Sequence, residues 1–159
     1  MSNNIQMYIE QLMDENPEVR LNAAYILAIM NDKRAVEPLV EALDDEYAGV
    51  RILAAEGLAR FRDERGWKLL ADALNDEDTE TCWCAVHSLK RLGNAQAVEL
   101  LMEKIDDSNA ELRSNIASAL GDIGDTRAIA KLEHLAKEDS NVLVRNAAEK
   151  ALIKLCGKK

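Results

Sequence analysis

The sequence predicts an all-α solenoid built from five two-helix units, and three observations carry that prediction. Val19-Arg20 recurs at steps of 31 residues as Val50-Arg51, Thr81-Cys82 and Leu112-Arg113, then as Val144-Arg145 after one inserted residue. Other landmarks move in step: Leu27, Leu58, Leu89, Leu120 and Leu152 form one column, and Asp14, Asp45, Asp76, Asp107 and Asp139 another. Each period also holds two stretches with apolar residues at helical spacing. A unit of this size buries its apolar face only by stacking on its neighbours, which is the physics of a solenoid. The units are expected at about 1–31, 32–62, 63–93, 94–124 and 125–159, in one continuous domain.

The first helix of a unit is represented by Arg34 to Leu43, with Val36, Leu39, Val40 and Leu43 on one face. Asp32, Asp63, Asn94 and Asp125 stand just before these helices, where a short oxygen-bearing side chain caps free amides. Gly93 and Gly124 suit the left-handed residue that ends a helix. The second helix is represented by Pro17 to Met30, with Asn16 as its cap and Pro17 at the first helical position. Val19, Ala23, Ile26, Leu27 and Met30 share about a third of its circumference and form the expected buried stripe. Ala23 and Ala54 are small, as a close helix crossing requires.

Four of the five Asp residues of the second column precede an Arg by six residues. The pairs Asp14/Arg20, Asp45/Arg51, Asp107/Arg113 and Asp139/Arg145 are expected to join turn to helix, the carboxylate accepting from backbone amides and from Arg. Cys82 interrupts the Arg column. Either Asp76 loses its partner and takes water, or the array softens there.

The end units carry polar residues where the middle ones are apolar: Asn4 and Gln11 in the first, Glu133 and Glu149 in the last. That is what capping units need, and an array complete in five units is the expectation.

Composition excludes several classes. The formal charge is −9, which disfavours nucleic acid, and no basic run exceeds Lys158-Lys159. Three cysteines, Cys82, Cys84 and Cys156, make no disulfide framework and fit a reducing compartment. Met1 to Leu12 has neither a basic start nor an uninterrupted apolar run, so no signal peptide or membrane span is expected and the cytoplasm is the default. There is no glycine-rich phosphate loop and no Ser-His-Asp grouping.

The face of the second helix opposite its apolar stripe should be polar if it only meets water. Its columns instead read Leu21, Ile52, Trp83, Ser114, Asn146, then Asn22, Leu53, Cys84, Asn115, Ala147. Tyr25, Glu56, His87, Ser118, Lys150 and Ile29, Arg60, Arg91, Asp122, Lys154 complete it. Apolar strips left in water mark interaction sites, and aromatics beside Arg are favoured anchors. The expected partner-binding set is therefore Leu21, Asn22, Tyr25, Ile52, Leu53, Glu56, Arg60, Trp83, Cys84, His87 and Arg91, for a protein or peptide partner. Two other readings stay open: superhelical twist half-burying Leu21 and Ile52 between adjacent second helices, and a homodimer closing on the same strip. Trp83 fits the half-buried slot poorly, because the next unit fills it with Ser114. Cys82 and Cys84 point about 200° apart on a helix, and Cys84 with His87 gives only two ligands, so neither metal nor other cofactor is expected.

The turn Asp, the Val-Arg opening of the second helix, the pairs Ala23-Ala24 and Ala54-Ala55, and Leu120-Gly121-Asp122-Ile123-Gly124-Asp125 resemble HEAT repeats of the short, phycobilin-lyase-like type. The resemblance implies a right-handed α-solenoid, or alpha-alpha superhelix, whose second helices line the concave surface, and it is specific for fold rather than function; elimination and the apolar strip together give a non-catalytic interaction scaffold as the expectation. The resemblance also admits a lyase-like or other enzyme-associated subunit acting on a chromophore or protein substrate. Deoxyhypusine hydroxylase shares the repeat but needs His-Glu dipeptides to hold two irons. Here His87 and His134 are followed by Ser88 and Leu135. HEAT-like alkylpurine DNA glycosylases use a basic cleft, against which the acidic balance speaks.

Overall fold

The repeat folds into alternating helices in the computed structural model, which describes residues 3–157, so Lys158 and Lys159 lie outside the described residues. Ten α-helices follow in order among those residues: α1 (Asn3–Gln11), α2 (Pro17–Met30), α3 (Val36–Glu41), α4 (Ala48–Arg60), α5 (Glu64–Ala73), α6 (Thr79–Leu92), α7 (Ala95–Lys104), α8 (Ala110–Ile123), α9 (Ile129–Glu138) and α10 (Val142–Cys156). The fold is an all-α solenoid. The chain divides into two compact units, one ending at Ser88 and one beginning at Leu89.

Capping sets the helix starts. The carboxylates of Asp32, Asp63 and Asp125 accept from the amides of Arg34, Arg65 and Arg127, and Asn94 accepts from the Ala97 amide. The guanidinium of Arg34 also bonds Asp32 and holds its carboxyl down at about 2. Asn16, Asn109 and Asn141 cap α2, α8 and α10 in the same way.

The helix ends share one left-handed column. Gly93 (φ 56°) and Gly124 (φ 84°) take that conformation, and so do Asn31 (φ 53°) and Arg62 (φ 62°) at the equivalent positions. At Arg62 two backbone bonds close the turn, Arg62 N–H to Ala59 O and Asp63 N–H to Leu58 O. Backbone geometry is thus repeated even where glycine is not.

The aspartate turns are the most regular feature. Asp14, Asp45, Asp76, Asp107 and Asp139 each accept from the amide two residues on, at 2.7–2.8 Å. Arg20, Arg51, Arg113 and Arg145 each donate to the carbonyl of their own turn Asp, at 2.7–2.8 Å. The pairing differs from the sequence expectation in one respect: Arg does not bond the carboxylate of its own unit. Arg20 instead reaches forward to Asp45 at 2.7 Å, and Arg113 to Asp139 at 2.7 Å. A guanidinium has donors enough for both tasks, so it clamps one turn and ties it to the next. Cys82 takes over the local contact, its thiol donating to Asp76 O at 3.1 Å. Asp107 is served locally by Lys104 at 2.8 Å.

The inserted residue of the fifth unit is absorbed at the end of its first helix. In the other units the turn Asp amide bonds three residues back, as from Asp45 to Ala42 O; Asp139 bonds four back, to Leu135 O. The added residue therefore replaces a tight 3₁₀ ending with a regular α turn.

In the first unit α2, α3 and α4 close around Ala23, Leu27, Leu39, Val50, Ala54 and Leu58, all without solvent exposure. A Cβ on Gly57 would lie 3.0 Å from Ala28 Cα, which marks where α2 and α4 meet. In the second unit Leu101, Ile105, Ile116, Leu120 and Leu132 form the interior, and a Cβ on Gly121 would lie 2.6 Å from Ala151 Cα. Of the expected stripe on α2, Ala23 and Leu27 are buried while Val19, Ile26 and Met30 are half-buried. Arg20, Ala24 and Ala28 are buried instead, because the helix is covered along a flank as well as from below. Asn4, Glu133 and Glu149 are exposed, and Gln11 is half-buried.

Two predictions follow from these turns. Arg62→Gly removes a side chain from a left-handed position and is expected to raise stability by ~1 kcal/mol in urea melts. The second concerns acid. Burial pushes the Asp45 carboxyl up, but the Arg20 guanidinium and the Tyr47 amide outweigh it and hold the group below its ordinary 3.8. Arg113 holds Asp139 down in the same sense. A depressed carboxyl contributes stability that is present above the unfolded value and lost as pH falls through the folded one. Asp45→Asn/Asp139→Asn is therefore expected to be less stable at neutral pH, and to lose less stability than wild type between neutrality and about pH 3.

Candidate functional site

Within the first unit, α2, α4 and α6 carry the residues expected to bind a partner, and the structure sorts them by exposure. Tyr25 is 40% exposed and Trp83 47%. Asn22, Arg60 and His87 are also exposed, while Leu21, Leu53 and Cys84 are half-buried. Arg91 is exposed and belongs to the second unit.

Two of the expected residues are corrected. Ile52 is 2% exposed and Glu56 is fully buried. The reason lies in the second helices being packed side by side. A Cβ on Gly49 would meet Leu21 Cδ1 at 2.9 Å, so Leu21 lies at the seam of α2 with α4. Ile52, one period on, takes the equivalent edge of α4, and α4 is buried almost all round, from Ala54 through Ala59. Glu56 is tolerated inside because Arg60, one turn away, pairs with it at 2.9 Å. Arg60 itself stays exposed while its guanidinium pairs with Glu56 within the chain.

The apolar strip is therefore discontinuous. Tyr25 and Ile29 stand one turn apart on α2, and Ile29, outside the expected set, is 48% exposed. Trp83 and His87 stand one turn apart on α6. Between them in chain order, α4 shows Arg60 and half-buried Leu53. Ile29 was legible from its column, which runs Ile29, Arg60, Arg91, Asp122, Lys154, but its polar neighbours concealed it.

Of the ladder residues, Asp14, Asp45, Asp107 and Asp139 lie in the turns, and Arg20, Arg51, Arg113 and Arg145 stand near the starts of the second helices and bond back to those turns. Cys82 is buried with its thiol on the turn carbonyls, and Cys84 is not. Among the described residues no group of three or more His, Cys, Asp or Glu side chains is placed to hold a metal ion. No helix among them is long and apolar enough to cross a membrane.

Large rings held in water on packed helices are what this face offers, as surfaces to stack against. Ile52→Glu is expected to lower stability by ~3 kcal/mol or more, as a charge placed in a closed seam. Trp83→Glu should stay within about 0.5 kcal/mol of wild type. Thermal melts followed by circular dichroism separate the two.

The family model of HEAT repeats matches residues 5–83 and 68–153. No curated protein matches the chain. Among solved structures, the complex of CpcE and CpcF of phycocyanin lyase from Nostoc sp. PCC7120 aligns at 24% identity and TM-score 0.65, over 97% of this chain and 65% of that one. The chain thus spans just under two thirds of that relative. An engineered protein aligns at 22% identity and TM-score 0.61, over 96% of this chain and 79% of its own. A designed armadillo repeat protein in complex with the peptide (KR)4 aligns at 19% identity and TM-score 0.57, over 95% and 81%. At these identities the likeness is one of fold.

Proposed function

The chain belongs to the HEAT repeat family, and we propose that it uses the fold as a non-catalytic scaffold that binds a protein or peptide on the face formed by its second helices. One observation carries the reading: Trp83 stands 47% exposed on α6, on a helix whose Val86 and Leu89 are buried. An indole left in water costs solvation and recovers it only against a partner. Tyr25 and Ile29 on α2 repeat the arrangement four helices earlier. A helix array of this kind has already ordered its own side chains, so a partner segment bears most of the entropy of binding. The likeness to a lyase subunit and to a peptide-binding designed repeat protein fits a surface that holds another polypeptide.

Affinity capture from lysate, with wild type set against Tyr25→Glu/Trp83→Glu, tests the proposal. Both substitutions fall on exposed positions, so the variant stays folded. A protein retained by wild type alone identifies the partner; equal retention moves binding off this face. Light scattering on both forms distinguishes self-association: a wild-type dimer made monomeric by the variant assigns the face to a second copy. Once the partner is in hand, Trp83→Ala is expected to weaken binding by ~2 kcal/mol or more, the scale of an interface anchor.

A further inference from the structure

A second surface lies apart from the second-helix face, where the turn after α1 meets the turn after α3. The two turns border a cleft of about 450 Å³ with two kinds of lining. Leu12, Met13 and Pro38 supply apolar surface, and Met13 is 78% exposed. Five carboxylates share the lining with one guanidinium, that of Arg20. Arg20 is buried and already neutralises Asp45 at 2.7 Å and Glu46 at 3.1 Å. Glu41 and Asp44 are exposed, and neither makes an ion pair among the described residues.

We propose that this cleft receives a lysine or arginine side chain of a partner protein. The alkyl stem lies along Leu12, Met13 and Pro38, and the cation pairs with Glu41 and Asp44. The chain itself sets the precedent, because Arg20 occupies the buried end of the same cleft and bonds the same kind of carboxylate. A bare cation is the poorer occupant: no group of three or more ligating side chains is gathered among the described residues.

The equivalent position in the second unit sharpens the point. There Arg113 and Asp139 repeat the buried pair, but Leu135 is the one aliphatic side chain in the lining. Its carboxylates also have cations from within the chain, Lys131 on Asp106 at 3.4 Å and Lys104 on Asp107 at 2.8 Å. The first cleft has the apolar wall and lacks the internal lysines.

The probe is the peptide acetyl-Lys-Arg-Lys-Arg-amide, titrated into the ¹⁵N-labelled full chain. Saturable amide shifts are expected at Leu12, Met13, Ala42 and Asp44. Glu41→Gln/Asp44→Asn should weaken binding at least tenfold while leaving the thermal melt unchanged. A peptide of equal charge with diaminopropionic acid at every position, which lacks the alkyl stem, should bind several-fold more weakly. The proposal is overturned by equal affinity for the short-stem peptide, by equal affinity of the variant, or by shifts centred on Tyr25 and Trp83 instead. That last outcome would place basic peptides on the second-helix face, so the two surfaces are distinguished in one experiment.

Discussion

The turn clamp built from one Asp and one Arg is the interaction on which the repeat depends. An aspartate carboxylate fixes the amide two residues on, and an arginine from the following helix fixes the carbonyl of that same aspartate. Between them the two side chains determine where a second helix begins and how it leaves the turn. Where the guanidinium also reaches the next aspartate, the clamp becomes a tie between units, as from Arg20 to Asp45 and from Arg113 to Asp139. Such pairs are retained more for the geometry they specify than for net stability, since desolvation offsets much of their attraction. At Cys82 a thiol stands in for the guanidinium and still reaches the carbonyl of Asp76, so the local clamp is kept by a different donor.

Much of the fold was legible because its signals are local. Caps such as Asn16 and Asp63 act within three residues, and the glycines at 93 and 124 answer a backbone conformation that the sequence names directly. Asn31 and Arg62 were less legible, because nothing about an arginine announces a left-handed residue. There the periodic column was the signal, and residue type was not. The forward reach of Arg20 was hidden for a different reason. Asp14 and Asp45 lie equally well in pattern with it, and sequence spacing alone favours the nearer.

The candidate face was legible in part. Helical spacing separates the two sides of an isolated helix, and it placed Tyr25, Trp83 and His87 on the open side. It misplaced Ile52 and Glu56 because α4 is packed on its flanks as well as beneath, which leaves a narrow open strip. Glutamate is also a poor reporter of exposure when an arginine one turn away accompanies it inside. Lateral packing is a property of neighbouring units, and no single unit's pattern contains it.

The extra residue of the fifth unit bears on how such chains change length. It is taken up where α9 ends, by exchanging a tight final turn for a regular one, while the Asp139 turn that follows keeps its form. That junction acts as an expansion joint. One added residue is accepted there without disturbing the clamp, so the first helix of that unit is longer by one while the second helix that follows stays in phase.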